Sequence, residues 1–216
     1  MSDPIAISPT EDLYIFGYGS LTWRPSDDLI ACKSFLGILH NDETKGYLRS
    51  WSQRSTDHRG FEDTFPGVVC NLLSFEEVRT FYNDWFSGIS PTSSSLPSSI
   101  ESSLSSSSSS YPPIVGKLYL LPKETVTQTL KDLDVREKGG YDQTIVKVQI
   151  LNNESSSSGP TYVNALLYRG TTKGEFHWPR MLFKKGGSLS PKVATYQTVV
   201  ASSAEGPSGF NWKYVR

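Results

Sequence analysis

No stretch of the 216 residues gathers about 18 apolar side chains in a row, so no segment has the character of a membrane-spanning helix. The first residues, Met1 to Leu13, carry neither a basic start nor an apolar run of signal-peptide length. The chain therefore reads as cytoplasmic. Charge of one sign is also lacking: 21 Lys and Arg against 22 Asp and Glu leave a formal net charge of −1. That balance predicts neither nucleic acid nor an anionic membrane as a standing partner. Cysteine is scarce. Cys32 and Cys70 form no CxxC pair and no metal-ligand spacing, so the sequence offers no disulfide framework and fits a reducing compartment. The Gly-x-Ser-x-Gly elbow of a serine hydrolase is missing, as is the Gly-Lys-Ser/Thr of a phosphate loop. Nor do His40 and His177 stand at ligand-like spacing to Asp57 and His58.

What is present describes one globular unit. Aromatic residues make up 12% and the five Trp are spread along the chain, as a packed core requires. Residues 1–12 are polar and read as a flexible tail. Leu13–Gly17 predicts a short buried strand and Gly67–Leu73 a second. The second runs into Ser74-Phe75-Glu76-Glu77, a capping box, followed by Val78, Tyr82, Trp85 and Phe86 at helical spacing up to Gly88. From about 87 to 113 serine dominates, unbroken from Ser105 to Ser110. Such a segment buries too little apolar surface to offset its ordering entropy, and reads as a disordered insertion in a single domain spanning 13–216. A domain linker is the competing reading, but the strands that follow are too few for a second core.

Beyond the insertion, Val115–Leu121 predicts a strand closed by Pro122, and 124–133 a helix with Val126, Leu130 and Leu133 on one face, stopped at Gly139 and Gly140. Tyr141–Leu151 alternates, with Val146, Val148 and Ile150 on one side, and Tyr162–Tyr168 is a further strand. Ser190-Pro191 opens a last helix carrying Val193, Tyr196, Gln197 and Val200. The order predicts an α+β fold with a mixed or antiparallel sheet.

Four stretches carry candidate chemistry. In Ile15-Phe16-Gly17-Tyr18-Gly19-Ser20-Leu21 a strand breaks into a glycine-rich turn whose amides and Ser20 hydroxyl can donate to an oxyanion or carboxylate; a plain tight turn is the other reading. Ser55-Thr56-Asp57-His58-Arg59-Gly60 reads as a polar loop, or as a functional one. Asp134 to Tyr141 places Glu137 between Arg136 and Lys138 at a helix end, either as a solvated terminus or as a general base at a pocket mouth. Gly206-Pro207-Ser208-Gly209 is a turn by composition, or a loop shaped against a ligand.

Taken together and in order, FGYGSL (16–21), STDHRG (55–60), VREKGGY (135–141), YRGT (168–171) and GPSGFNWKY (206–214) make the chain resemble the ChaC family of glutathione-specific γ-glutamylcyclotransferases over 13–216. The resemblance implies a small mixed β-barrel with peripheral helices. It implies cleavage of glutathione by attack of the γ-glutamyl α-amine on its own γ-carbonyl, giving 5-oxoproline and cysteinylglycine, with no metal or organic cofactor. Glu137 matches the catalytic glutamate and Ile15 to Leu21 the substrate-binding loop. Tyr141 becomes a candidate to contact substrate or orient Glu137, and Arg59 and Tyr214 further substrate contacts, while Asp57 and His58 support the site. Arg136 and Lys138 favour the charged form of Glu137, and a dry pocket opposes it. The chain departs from the family pattern at Val68, around Gly174-Glu175 and at Lys213, positions that bear on recognition of the peptide end, and relatives usually continue with a C-terminal helix. The same cyclisation on another γ-glutamyl amino acid or amine, an inactive γ-glutamyl-metabolite binding module, and a scaffold recruiting partners through the serine-rich loop remain as rival readings.

Overall fold

The computed structural model describes residues 10–41, 45–61, 65–86, 112–137, 141–151, 159–172, 176–177, 205–206 and 209–210. Most of the N-terminal tail, nearly all of the serine-rich segment and the helix expected after Ser190 lie outside the described residues. The chain runs through β1 (Leu13–Gly17), a 3-10 turn (Ser20–Thr22), α1 (Asp27–Ile30), β2 (Lys33–Leu39), β3 (Tyr47–Phe61), β4 (Phe65–Ser74) and α2 (Phe75–Phe86). It continues with β5 (Ile114–Leu121), α3 (Lys123–Arg136), β6 (Tyr141–Leu151), β7 (Thr161–Gly170), β8 (Glu205–Gly206) and β9 (Gly209–Phe210).

Five strands close into a barrel in the order β1-β5-β2-β6-β7. All neighbours are antiparallel except β7 and β1, which close the ring in parallel through Tyr14 opposite Ala165 and Ile15 opposite Leu166. Closure leaves no open edge. The β3–β4 hairpin forms a separate two-stranded sheet, and β8–β9 another. The mixed α+β barrel expected from the family resemblance is therefore observed.

The side-chain period of two sorts residues between two cores. Phe16, Leu118, Val146, Val148, Ile150, Ala165 and Leu167 point into the barrel, where Leu39, Leu72 and Ile114 join them. Their neighbours Ile15, Tyr119, Leu121 and Leu166 point outward and are covered by Val126 and Leu133 of α3, with Leu29 of α1. Each fully buried Leu or Ile contributes about 1.5–3 kcal/mol relative to an exposed one. Gly37 and Gly116 sit directly opposite each other on β2 and β5, and Phe16 fills the space their missing side chains leave.

Local signals behave as their chemistry requires. The capping box is formed: Ser74 N–H donates to Glu77 Oε2 at 2.9 Å and Glu77 N–H to Ser74 Oγ at 3.2 Å. At the start of α3, Lys123 N–H donates to Asp12 Oδ1 at 3.0 Å and Thr125 N–H to the Pro122 carbonyl at 2.9 Å. The helix expected over 124–133 runs on to Arg136, and its last intrahelical bond is Glu137 N–H to the Leu133 carbonyl at 2.7 Å. Strands β2 and β3, the two-residue strands β8 and β9, and the single turn of α1 have no counterpart in the sequence reading. The stretch from Ser55 to Gly60, read above as a loop, belongs to strand β3, where the pairing with β4 shifts register between those two residues. An irregularity of this kind lets a polar, glycine-containing segment stay in a ladder.

Candidate functional site

Strand β1 ends where the chain turns back sharply on itself. A Cβ on Gly17 would lie 2.6 Å from Cβ of Leu21, so this position tolerates only glycine without a shift of the turn. Past Gly17 the turn is self-bonded: Thr22 donates to the Gly19 carbonyl from both its N–H (3.0 Å) and its hydroxyl (2.7 Å), and Arg24 N–H donates to the Ser20 carbonyl at 2.7 Å. Tyr119 donates its hydroxyl to the Leu21 carbonyl at 2.5 Å, and burial pushes that phenol up to about 12, so it stays a donor. On the other side Arg49 donates from Nη2 to the Tyr18 carbonyl at 3.2 Å and to the Val115 carbonyl at 2.5 Å. The glycine-rich segment is thus gripped from the barrel and from the hairpin.

Helix α3 delivers the second motif to the same place. Glu137 is the first residue past the helix, with φ −95° and ψ 19°, and its side chain is 13% exposed. Arg136 Nε lies 3.4 Å from Glu137 Oε1. The same guanidinium donates from Nη2 to Ser20 Oγ at 3.1 Å and to the Arg24 carbonyl at 3.0 Å. One arginine therefore brings together two motifs that lie 116 residues apart in sequence. Tyr141 follows as the first residue of β6, paired across the ladder with Gly170 at the end of β7.

The YRGT motif at the end of β7 is the surprise of this region, because each of its first three residues fastens a different element to the barrel. Tyr168 donates its hydroxyl to Asp134 Oδ1 at 2.6 Å, and Gln143 Nε2 donates to the same oxygen at 2.9 Å. Burial, then the Asp134 carboxylate, holds the Tyr168 phenol far above its ordinary range. Asp134 is exposed but anchors the last turn of α3. Arg169 Nη1 lies 2.6 Å from Glu77 Oε2, tying β7 to the first turn of α2. Burial alone would raise the Glu77 carboxyl, but the Ser74 N–H, the Arg169 charge and the Ser74 hydroxyl outweigh it and hold the group below the usual range. Gly170 is clasped by the buried Asn71 amide, which accepts from its N–H at 2.8 Å and donates to its carbonyl at 3.1 Å. Asn71 also accepts from the Tyr18 hydroxyl at 3.5 Å. Asn71, Arg49 and the buried Gln53 were missed as contributors to this end of the barrel; polar residues inside a strand were the available signal.

Of the residues singled out from sequence, Ile15 to Leu21, Glu137 and Tyr141 gather at one barrel end. Asp57, His58 and Arg59 lie in β3, whose described side chains stop at Ser55. Lys138, Gly139, Gly140 and Tyr214 lie outside the described residues, as do Gly174, Glu175 and Lys213. Glycines 206 and 209 pair with each other in β8–β9, which lies against β3.

Comparison with known proteins agrees with this architecture. The family model described as ChaC-like protein matches residues 13–216. The protein named glutathione-specific gamma-glutamylcyclotransferase from Schizosaccharomyces pombe is 30% identical over 216 residues, covering 97% of this chain and 82% of that one. The protein of the same name from Saccharomyces cerevisiae is 24% identical over 218 residues, covering 94% and 82%. A crystal structure of a yeast gamma-glutamyl cyclotransferase specific to glutathione superposes with a TM-score of 0.66 at 24% identity, over 95% of this chain and 84% of that one, which shows the shared fold.

Proposed function

The chain belongs to the ChaC-like family, and on that premise we propose that it cleaves glutathione by internal cyclisation into 5-oxoproline and cysteinylglycine. The α-amine nitrogen of the γ-glutamyl group forms a bond to its own γ-carbonyl carbon, and the bond from that carbon to the cysteine nitrogen breaks. A free α-amine has a pKa of roughly 8, so near neutrality much of it is protonated and must lose a proton before attack. From the neutral amine, Glu137 accepts the proton released as the nitrogen bonds to the carbonyl carbon and returns it to the departing cysteine nitrogen; the proton shed before attack is regained by the free amine of cysteinylglycine, so the count balances.

The ring closes only when the substrate folds back on itself. Holding amine and carbonyl in attack geometry supplies about 7–11 kcal/mol of the barrier in well-oriented intramolecular reactions. The segment Ile15 to Leu21 takes that role: its turn is fixed by Tyr119, Arg49 and Thr22, and its amides receive the α-carboxylate or the oxyanion that develops on the γ-carbonyl. Tyr141, the first residue of β6, is the candidate to contact substrate or orient Glu137. Both thiols are free, which supports the cytoplasm as the place of action.

The observation that carries this reading is the Arg136 guanidinium reaching both Ser20 Oγ and Glu137 Oε1, which sets the proposed base beside the proposed binding turn. The test is mass-spectrometric detection of 5-oxoproline from glutathione, with Glu137→Gln alongside. Wild type makes product, and the folded variant loses about 10²–10⁴-fold in rate, the usual share of general acid–base catalysis. Equal rates would remove Glu137 from its role, and no product from folded wild type would remove the reaction. Faster turnover of a γ-glutamyl dipeptide than of glutathione would reassign the substrate.

A further inference from the structure

Neighbouring residues of an α-helix do not face each other, yet the Arg136 guanidinium lies against the Glu137 carboxylate. The contact exists because the helix ends between them: Glu137 keeps its N–H bond to Leu133 but has left helical dihedrals. Arg136 meanwhile binds the 3-10 turn that follows the glycines at both of its ends, at the Ser20 hydroxyl and at the Arg24 carbonyl. Those two ends are themselves closed by the Arg24 N–H to Ser20 carbonyl bond at 2.7 Å. A cation in the last turn of a helix needs no function beyond complementing the helix dipole, and lysine serves that purpose equally well. Two bonds to a turn from one nitrogen, with a second nitrogen of the same plane directed at a carboxylate, require the rigid fork of a guanidinium.

We propose that Arg136 is a positioning residue for the ring closure, holding the Glu137 carboxylate and the Ser20 turn at a fixed separation. The inference rests on the reading of Glu137 as the proton carrier. Both side chains are mostly shielded, 23% exposed for Arg136 and 13% for Glu137, so water does not readily replace the link. Its loss lets the carboxylate and the bound γ-glutamyl group drift relative to one another, and a misplacement of about 1 Å is worth up to about 100-fold in rate.

The test compares kcat, KM and thermal midpoint for wild type, Arg136→Lys, Ser20→Ala, the double variant and Glu137→Gln, with glutathione as substrate. Arg136→Lys keeps the charge and the dipole contribution. The expected result is a melting point within a few degrees of wild type, kcat lower by about 10- to 100-fold and KM changed by less than about threefold. The double variant loses no more than Arg136→Lys alone, because both changes cut one link. Arg136→Lys with wild-type kcat, a rise in KM at constant kcat, or single losses that multiply would each overturn the inference. Should Arg136→Lys melt early, Ser20→Ala carries the test by itself, with kcat lowered at constant KM expected and unchanged kcat refuting. Failure of the underlying function looks different: Glu137→Gln then turns over like wild type, or wild type makes no 5-oxoproline.

Discussion

Adding one methyl group at Gly116 tests how the barrel interior sets the binding turn. A Cβ there would lie 2.6 Å from Cζ and 2.7 Å from Cε2 of Phe16, and against the Gly17 carbonyl oxygen. Phe16 is 1% exposed and walled in by the barrel, and the carbonyl is backbone, so neither neighbour can swing aside. Overpacking of this type costs about 1–3 kcal/mol. Alanine also restricts the unfolded chain, which returns about 0.4–1 kcal/mol where the backbone accepts it, and Gly116 is not in the left-handed region. With two unyielding contacts the cost lies in the upper part of its range, for a net loss of about 2 kcal/mol. In a chain of this length that lowers the melting point by roughly 4–8 °C. Gly159 supplies the internal control, because nothing lies within 4 Å of a Cβ placed there. The same substitution at Gly159 leaves stability unchanged or raises it by up to about 1 kcal/mol. Urea melts at constant slope, with calorimetric midpoints, separate the two cases. Because the displaced carbonyl belongs to the residue that opens the turn, Gly116→Ala also lowers kcat/KM at temperatures where it is fully folded. A Gly116→Ala protein melting at or above wild type, or no less stable than Gly159→Ala, would refute the packing argument.

Two further outcomes follow from the bonds at the end of β7. Since the Glu77 carboxyl is held below its ordinary range in the folded protein, the unfolded chain binds its proton more tightly. The stability this group confers is therefore complete above the ordinary glutamate value of about 4.3 and is lost as pH falls through the lowered folded value. Unfolding free energy measured against pH declines less steeply on its acid side in Glu77→Gln than in wild type, and parallel curves would contradict the assignment. Tyr168→Phe removes the donor to Asp134 and the acceptor for Gln143. With Asp134 exposed, the loss is about 1 kcal/mol by urea denaturation, together with a lower kcat because the last turn of α3 is less firmly seated; unchanged values for both would show that the phenol is not an anchor.

How far the sequence could be read depended on where each strand's polar residues go. In β6 the exposed Lys147 alternates with buried Val146 and Val148, and the strand was legible. In β2 the outward face shows Leu36 to solvent at 54% exposure while Gly37 points inward, which inverts the usual pattern and hid the strand. The β3 strand hid for the complementary reason: Ser52, Gln53 and Ser55 are buried where apolar residues are expected. At the candidate site the glycine-rich turn, Glu137 and Tyr141 were legible through the family resemblance. What each member of YRGT does was not, since its partners Asp134, Glu77 and Asn71 stand 34, 92 and 99 residues away. Those distances are set by barrel closure and leave no local trace.

The same closure explains why the proposed base arrives beside the turn at all. Parallel pairing of β7 with β1 puts the carboxyl ends of both strands at one end of the barrel. Antiparallel β5 starts at that end, with Gly116 against Gly17, and finishes at the other. Helix α3 must then return along the outside, held by Val126 and Leu133 against Ile15, Tyr119 and Leu166. At 1.5 Å per residue its 14 residues travel about 21 Å, against about 27 Å for the eight residues of β5. The helix thus spends its length about one turn short of the strand's start, and the next residue is Glu137. Two inward anchors then stop that end from fraying, Asp134 on Tyr168 and Arg136 on Ser20, while the Glu137 amide closes the helix's own last bond to Leu133. Helix length, rather than any contact made by Glu137 alone, is what brings Glu137 to the barrel end that carries the glycine-rich turn, where Arg136 links the two.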